Sequence, residues 1–309
     1  MLAVVCPGQG SQKPGMFAPW LALPGAPEQL ATLSERAGLD LIALGTGAGA
    51  EEIKDTAVTQ PLVVAAALLA AAHLELPAGA TVAGHSVGEL AAAALAGVIS
   101  TGDAVGLAGT RGRAMSAACA LEPTGMSAVL GGDPETVLAA LAERDLVGAN
   151  VNGAGQIVAA GTTAALRALA DDPITGTRVI PLPVAGAFHT SYMATAQLAL
   201  APDLAALDPA DPVRPLLGNA DGAVVGSGAA FLQSLGAQVT RPVRWDLCMQ
   251  TLRAEGVTGV LELPPAGTLV GLVKRELKGV ATMALKGPDD LDAAAAFMAE
   301  HAGPGTVAA

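Results

Sequence analysis

Short apolar runs alternate with alanine-rich stretches along most of this 309-residue chain, and that alternation is its strongest constraint on a fold. Leu2 to Cys6 and Ala80 to Ala83 are too short for helices and lack a polar face, so they read as strands buried on both sides. Such strands need helices over each face of their sheet, and the alanine-rich segments can supply them. The expected class is α/β, with a mainly parallel sheet. Pro7-Gly8 breaks the first strand. Gln60-Pro61 is expected to open a helix reaching about His73, with proline in its first turn. Ser86 to Leu95 reads as a helix stopped by Gly97.

The middle of the chain follows another order. Met126 to Leu130 reads as a strand, Asp133 to Arg144 as a helix, Gly148 to Val151 and Gln156 to Gly161 as strands, Thr162 to Ala170 as a helix and Arg178 to Leu182 as a strand. This β-α-β-β-α-β sequence is the split βαβ, or ferredoxin-like, pattern. It predicts a small domain at 122–187 inserted into a discontinuous large domain formed by 1–121 and 188–309. Further large-domain strands are expected near Val257 to Leu263 and Val280 to Leu285.

Composition narrows the function. Hydrophobic residues make up 52% of the chain, ample for a core, and 16 Lys+Arg face 28 Asp+Glu for a net charge of −12. Excess acidity disfavours nucleic acid and anionic membranes as partners, because both require cationic surface. Any anionic ligand must be held by a few well-placed cations. Cys6, Cys119 and Cys248 are far apart and form no C-x-x-C pair, so neither a zinc site nor a disulfide framework is expected, and a reducing cytoplasm fits. Met1 to Val5 carries no basic residue and runs at once into Pro7-Gly8, so a signal peptide is not expected. The longest apolar run, Leu62 to Ala72, is short of the roughly 20 residues needed to span a bilayer.

The sharpest local signal is Gly84-His85-Ser86-Val87-Gly88, a G-x-S-x-G pattern between an expected strand and an expected helix. Glycines two before and two after the serine permit a tight turn that pushes the hydroxyl out at the carboxyl edge of the sheet. The helix behind it directs N–H groups and a positive dipole end toward any oxyanion that forms. The same residues would also suit a plain turn with Ser86 as a helix N-cap. A nucleophilic serine needs a base. Of His73, His85, His189 and His301, the first ends a helix, the second adjoins the serine and points away from its oxygen, and the last lies in the tail. His189 remains by elimination, although a surface-loop histidine reads the same way. Arg111 stands in alanine-rich surroundings on a helix and offers a planar fork suited to a carboxylate. A structural ion pair is the ordinary alternative. The loop Pro7-Gly8-Gln9-Gly10-Ser11-Gln12 could supply backbone donors to an oxyanion.

Taken together, P-G-Q-G-S-Q at Pro7 to Gln12, G-H-S-V-G-E at Gly84 to Glu89, Arg111-Gly112, N-G-A-G-Q at Asn152 to Gln156, G-A-F-H at Gly186 to His189 and P-V-R-W at Pro242 to Trp245 resemble the malonyl-CoA:acyl carrier protein transacylases over essentially the whole chain. The alanine-rich, lysine-poor composition resembles an actinobacterial version. The resemblance implies an α/β-hydrolase-like core carrying the ferredoxin-like insertion, and malonyl transfer to carrier protein for fatty-acid or polyketide synthesis. It implies Ser86 as nucleophile, His189 as base, and the main-chain carbonyl of Gln238 orienting the imidazole. The N–H groups of Gln9 and Val87 would form the oxyanion hole. Arg111 would pair with the malonyl carboxylate, Phe188 would exclude a 2-methyl group, and Met115 and Asn152 would line the same pocket. The implied partners are malonyl-CoA and, transiently, acyl carrier protein. Neither metal nor cofactor is implied beyond the phosphopantetheine of the acceptor, and a cytoplasmic monomer is expected. Carrier docking would use a small cationic patch that includes Arg241 or Arg244.

Two departures from the family pattern stand out: Arg241-Pro242 in place of Asn-Pro, and Pro264-Pro265-Ala266-Gly267 in place of a Gly-Pro-Gly type turn. Other readings share the serine motif. A serine thioesterase or esterase would need an acid such as Asp171 or Asp172, both inside the expected insertion. The malonyl-transfer subunit of a malonate decarboxylase and a non-catalytic carrier-docking subunit also remain open.

Overall fold

Every residue of Leu2–Cys6 is buried, and the strand they form lies at the middle of a five-stranded sheet. The computed structural model describes residues 1–303, so the last six positions of the expected large-domain segment lie outside the described residues. The strands are β1 (Leu2–Cys6), β2 (Thr81–Gly84), β3 (Thr124–Gly131), β4 (Val147–Gly153), β5 (Gln156–Thr162), β6 (Thr177–Pro181), β7 (Leu216–Leu217), β8 (Val243–Arg244), β9 (Gly259–Glu262) and β10 (Ala281–Ala284). The helices are α1 (Ala26–Ala37), α2 (Leu41–Gly47), α3 (Thr56–Ala71), α4 (Gly88–Leu95), α5 (Thr101–Cys119), α6 (Pro134–Ala142), α7 (Thr163–Asp171), α8 (Ala194–Ala205), α9 (Gly228–Gln238), α10 (Trp245–Ala254), α11 (Leu269–Glu276) and α12 (Leu291–His301).

The first sheet has the order β10-β9-β1-β2-β7, and all its strand pairs are parallel. Successive side chains of β1 enter opposite cores. Leu2, Val4 and Cys6 join the residues of α3 and α5, whereas Ala3 and Val5 join Trp245, Met249 and Leu272 from α10 and α11. This two-sided burial is why the strand has no polar alternation.

The second sheet has the order β6-β3-β5-β4-β8. Its first four strands pair antiparallel, all fall within 122–187, and have the order of a split βαβ unit. Helices α6 and α7 cover one face through Val137, Leu141, Leu166 and Leu169, while Met126, Val158 and Ala160 on the other face join the main core. The fifth strand was not expected: β8 comes from beyond residue 188 and pairs parallel with β4. It ties the two sheets together beside the serine turn.

Two helix starts differ from expectation. Helix α3 begins at Thr56, with the Asp55 side chain accepting the Ala57 N–H at 2.9 Å, so Pro61 sits inside the helix and not in its first turn. The helix is buried from Thr59 to Ala71, and that packing overrides the lost backbone hydrogen bond. Helix α4 begins at Gly88, because Ser86 has φ 54° and a left-handed residue cannot belong to the first turn. Among the described residues, no helix is long and apolar enough to cross a membrane.

Candidate active site

The serine turn is built by what its glycines lack. A Cβ at Gly84 would stand 2.0 Å from the backbone carbon of Gly88, and one at Gly88 would stand 2.3 Å from the Cys6 oxygen. Only hydrogen fits at either position, so β2 can run directly into α4 with Ser86 at the apex. Gly84→Ala should therefore cost about 1–3 kcal/mol through overpacking, read as a lower urea midpoint. It should also leave a smaller titratable fraction of reactive serine.

The Ser86 Oγ lies 2.7 Å from His189 Nε2, and His189 Nδ1 lies 2.9 Å from the main-chain oxygen of Gln238. A carbonyl only accepts, so Nδ1 carries the proton and Nε2 is left to accept from the serine hydroxyl. Gln238 is the last residue of α9; its oxygen accepts the Arg241 N–H at 3.0 Å and has a second lone pair for the imidazole. His189 is 3% exposed and, like Ser86, has a positive φ, 61°. Both halves of the pair thus sit in backbone conformations that L-residues rarely adopt, and such strain concentrates at functional sites. Burial first, and the Arg111 cation second, push the imidazole down to a pKa of about 3, so it is neutral and able to accept a proton.

Arg111 reaches the same oxygen from α5. Its Nη2 donates to Ser86 Oγ at 3.3 Å and to Gln238 Oε1 at 3.1 Å, and its Nη1 donates to Gln60 Oε1 at 2.8 Å. The side chain is buried, yet none of the ion pairs among the described residues includes it. Burial lowers its pKa to about 10, against the opposing pull of Glu89. Glu89 is itself raised to about 8 by burial and is mostly neutral at pH 7. The result is a buried cation held by neutral amides beside the serine, an arrangement costly to bury and ready for an incoming carboxylate.

A cavity of about 480 Å³ opens in front of the pair and is lined by Gln9, Ser86, Met115, Asn152, Phe188 and His189, among others. Arg111 does not line it. Together with Ser86, Arg111 borders a separate small void of about 10 Å³. The backbone N–H groups of Gln9 and Val87 donate to no acceptor among the described residues. Met115 Sδ accepts from Gln60 Nε2 at 3.4 Å, which couples the cavity wall to the holder of Arg111.

Two of the other histidines, His85 and His301, are engaged elsewhere. His85 Nε2 is 2.9 Å from Asn152 Oδ1, and its ring packs edge-on to Trp245 at 5.7 Å. His301 Nδ1 lies 2.9 Å from Thr258 Oγ1. Arg244 is gripped at two points by Asp246, at 2.9 and 2.7 Å. Arg241 is exposed. Sequence reasoning missed Gln60, Glu89 and Asn219. Gln60 was read only as a helix opener, Glu89 only as the end of a motif, and Asn219 carried no local signal.

The family model described as "Acyl transferase domain" matches residues 3–300. The chain is 58% identical over 299 residues to the malonyl CoA-acyl carrier protein transacylase of Mycobacterium tuberculosis, covering 94% of this chain and 98% of the relative. The crystal structure of MCAT from Mycobacterium tuberculosis superposes with a TM-score of 0.91 at 56% identity, covering 96% of this chain and 99% of that one. The malonyl-transacylase PlMCAT, solved in complex with the type II PKS acyl-carrier protein AntF, superposes with a TM-score of 0.88 at 32% identity and covers 96% and 99% of the two chains.

Proposed function

The chain belongs to the acyl transferase domain family, within it to the malonyl CoA-acyl carrier protein transacylases, and we propose that it moves malonyl from malonyl-CoA to carrier protein by a two-stroke Ser86–His189 mechanism. One observation carries this reading: the Ser86 Oγ lies 2.7 Å from a neutral imidazole and 3.3 Å from a buried guanidinium that is in none of the ion pairs among the described residues. The first group activates an acyl acceptor, and the second selects an acyl group that ends in a carboxylate.

In the first stroke the malonyl carboxylate displaces the amide contacts of Arg111 in part and takes up its charge. His189 Nε2 removes the Ser86 proton as Oγ attacks the thioester carbon. The developing oxyanion is held by the N–H groups of Gln9 and Val87, which have no competing acceptor. Collapse breaks the carbon–sulfur bond, and the imidazolium returns its proton to the CoA thiolate. In the second stroke the phosphopantetheine thiol of the carrier gives its proton to His189 and attacks the malonyl-serine ester. The imidazolium then reprotonates the Ser86 oxygen as it leaves. The Gln238 carbonyl holds Nδ1–H throughout and favours the transient imidazolium. Phe188 and Met115 shape the acyl pocket, and Asn152 with its His85 contact forms the wall nearest the small sheet. The product would supply extender units for fatty-acid or polyketide synthesis in a cytoplasmic monomer.

Brief exposure to malonyl-CoA followed by intact-mass measurement and peptide mapping tests this directly. A malonyl adduct on Ser86 is expected, lost when carrier protein is added. Absence of the adduct, or rapid release of free malonate without a carrier, would overturn the reading. An acceptor panel of fatty-acid, polyketide and decarboxylase carriers then identifies the partner.

The imidazole also predicts a pH profile. Neutral His189 is the competent form, and its pKa is lowered to about 3, so the base is retained as pH falls. The rate of adduct formation should stay nearly flat from about pH 8 to pH 5, whereas a free imidazole would lose its base near pH 6.5. Stopped-flow acylation across that range reads it.

A further inference from the structure

Asn219 is fully buried and lies immediately beyond β7, at the point where the main chain leaves the sheet. Strand β7 pairs with β2 only at Val82–Leu216 and Ala83–Leu217. At Gly218 the backbone turns away, its N–H donating to Ala223. The next rung would need a donor for the Gly84 carbonyl and an acceptor for the Ser86 N–H. The Asn219 side chain supplies both: Nδ2 donates to Gly84 O at 2.7 Å, and Oδ1 accepts from Ser86 N at 2.8 Å. In a parallel ladder one residue bonds in this way to the carbonyl of residue i and the N–H of residue i+2. The carboxamide thus continues the β2–β7 ladder one rung into the serine turn, where no backbone can follow.

The amide is itself fixed from every side. The Asn219 N–H donates to Glu89 Oε1 at 2.7 Å, its carbonyl accepts the Arg244 N–H at 2.8 Å, and its Oδ1 also faces Gln238 Nε2 at 3.4 Å. Gln238 carries the carbonyl that orients His189 and the amide oxygen that holds Arg111. One side chain therefore registers the serine against both of its partners.

We propose that Asn219 is the positioning residue that keeps Ser86 in its left-handed conformation and in line with His189. This rests on Ser86 being the nucleophile. Without the carboxamide, the Ser86 N–H is unpaired, and the turn relaxes toward ordinary φ values, moving Oγ off the imidazole.

The test uses the full-length enzyme and a small fluorophosphonate, which labels an activated serine without calling on Arg111. Labelling of Ser86 is followed by intact mass and normalised to the folded fraction from near-ultraviolet circular dichroism. Asn219→Ala should slow labelling per folded molecule by about 10²-fold, the scale of an ångström-sized misplacement. Asn219→Asp keeps the shape and carries the test if the alanine variant does not fold. A protonated carboxyl at 219 can still donate to Gly84 and accept from Ser86, whereas the carboxylate can only accept. The titratable groups bonded to that residue are Glu89 and the Cys248 thiol; Arg111 acts on Glu89, and Asp221 and Asp246 act on Cys248. Labelling of the aspartate variant should approach the wild-type rate at acid pH and fall as pH rises, while the wild type stays flat. A wild-type labelling rate in folded Asn219→Ala, or an aspartate variant that parallels the wild-type pH profile, would overturn the proposal. Failure of the wild type to label at Ser86 would instead overturn the nucleophile reading.

Discussion

Ser86→Ala should leave no malonyl adduct, and His189→Gln should slow adduct formation by about 10²–10⁴-fold, the usual worth of a positioned base. The expectation follows from the exclusivity of the contact. His85 is bonded to Asn152 and packed on Trp245, so it is not directed at the serine oxygen. Glu89 is buried and bonded to the Asn219 backbone, so it cannot replace the imidazole either. Glutamine retains polarity near the 189 site but cannot accept and return a proton at neutral pH. The variant should fold, because the His189 side chain makes polar contacts with Ser86 and Gln238 and is not part of the apolar core. Rapid-quench mass spectrometry with excess malonyl-CoA measures the rate directly. A rate within tenfold of wild type would mean that another group takes the proton.

How much of this site was legible beforehand depends on the span of each interaction. The sequence signature of the serine turn is local: it falls within five consecutive residues, so the glycine spacing announces it. The ferredoxin-like order was legible for the same reason, since strand and helix signals succeed one another within 122–187. Arg111 was conspicuous because cations are scarce in a chain of net charge −12. Asn219 and Gln60 were not, because their worth lies in partners 133 and 51 residues away. Nothing in Leu217-Gly218-Asn219 indicates that a strand will stop one rung early and hand its ladder to a side chain. The parallel addition of β8 to the second sheet was hidden in the same way, being a two-residue pairing between segments far apart in the chain. The start of α3 was misread because proline signals a helix N-terminus only when local preference decides, and here burial decides. Arg244 carries an ion pair to Asp246, two residues on, which composition cannot reveal.

Arg111→Ala should reduce malonyl transfer far more than acetyl transfer. A hydrogen bond to a charged group contributes about 1.5–3 kcal/mol, so the loss specific to malonyl is expected at about 10–150-fold in kcat/KM. Acetyl has no carboxylate and should lose only what Arg111 contributes through its 3.3 Å contact with Ser86 Oγ. The variant should not be lost to unfolding. The guanidinium makes no ion pair, and a buried unpaired cation carries a desolvation cost that its removal relieves. Gln60 and Gln238 would then face each other's amides across the vacated volume. Arg111→Lys separates charge from shape. A lysine keeps the cation but has neither the planar fork nor the reach to serve both glutamines and a carboxylate, so its malonyl rate should fall between wild type and alanine. Lysine equal to wild type would show that charge alone selects malonyl, and equal losses for both acyl groups in Arg111→Ala would show that Arg111 serves the serine and not the substrate.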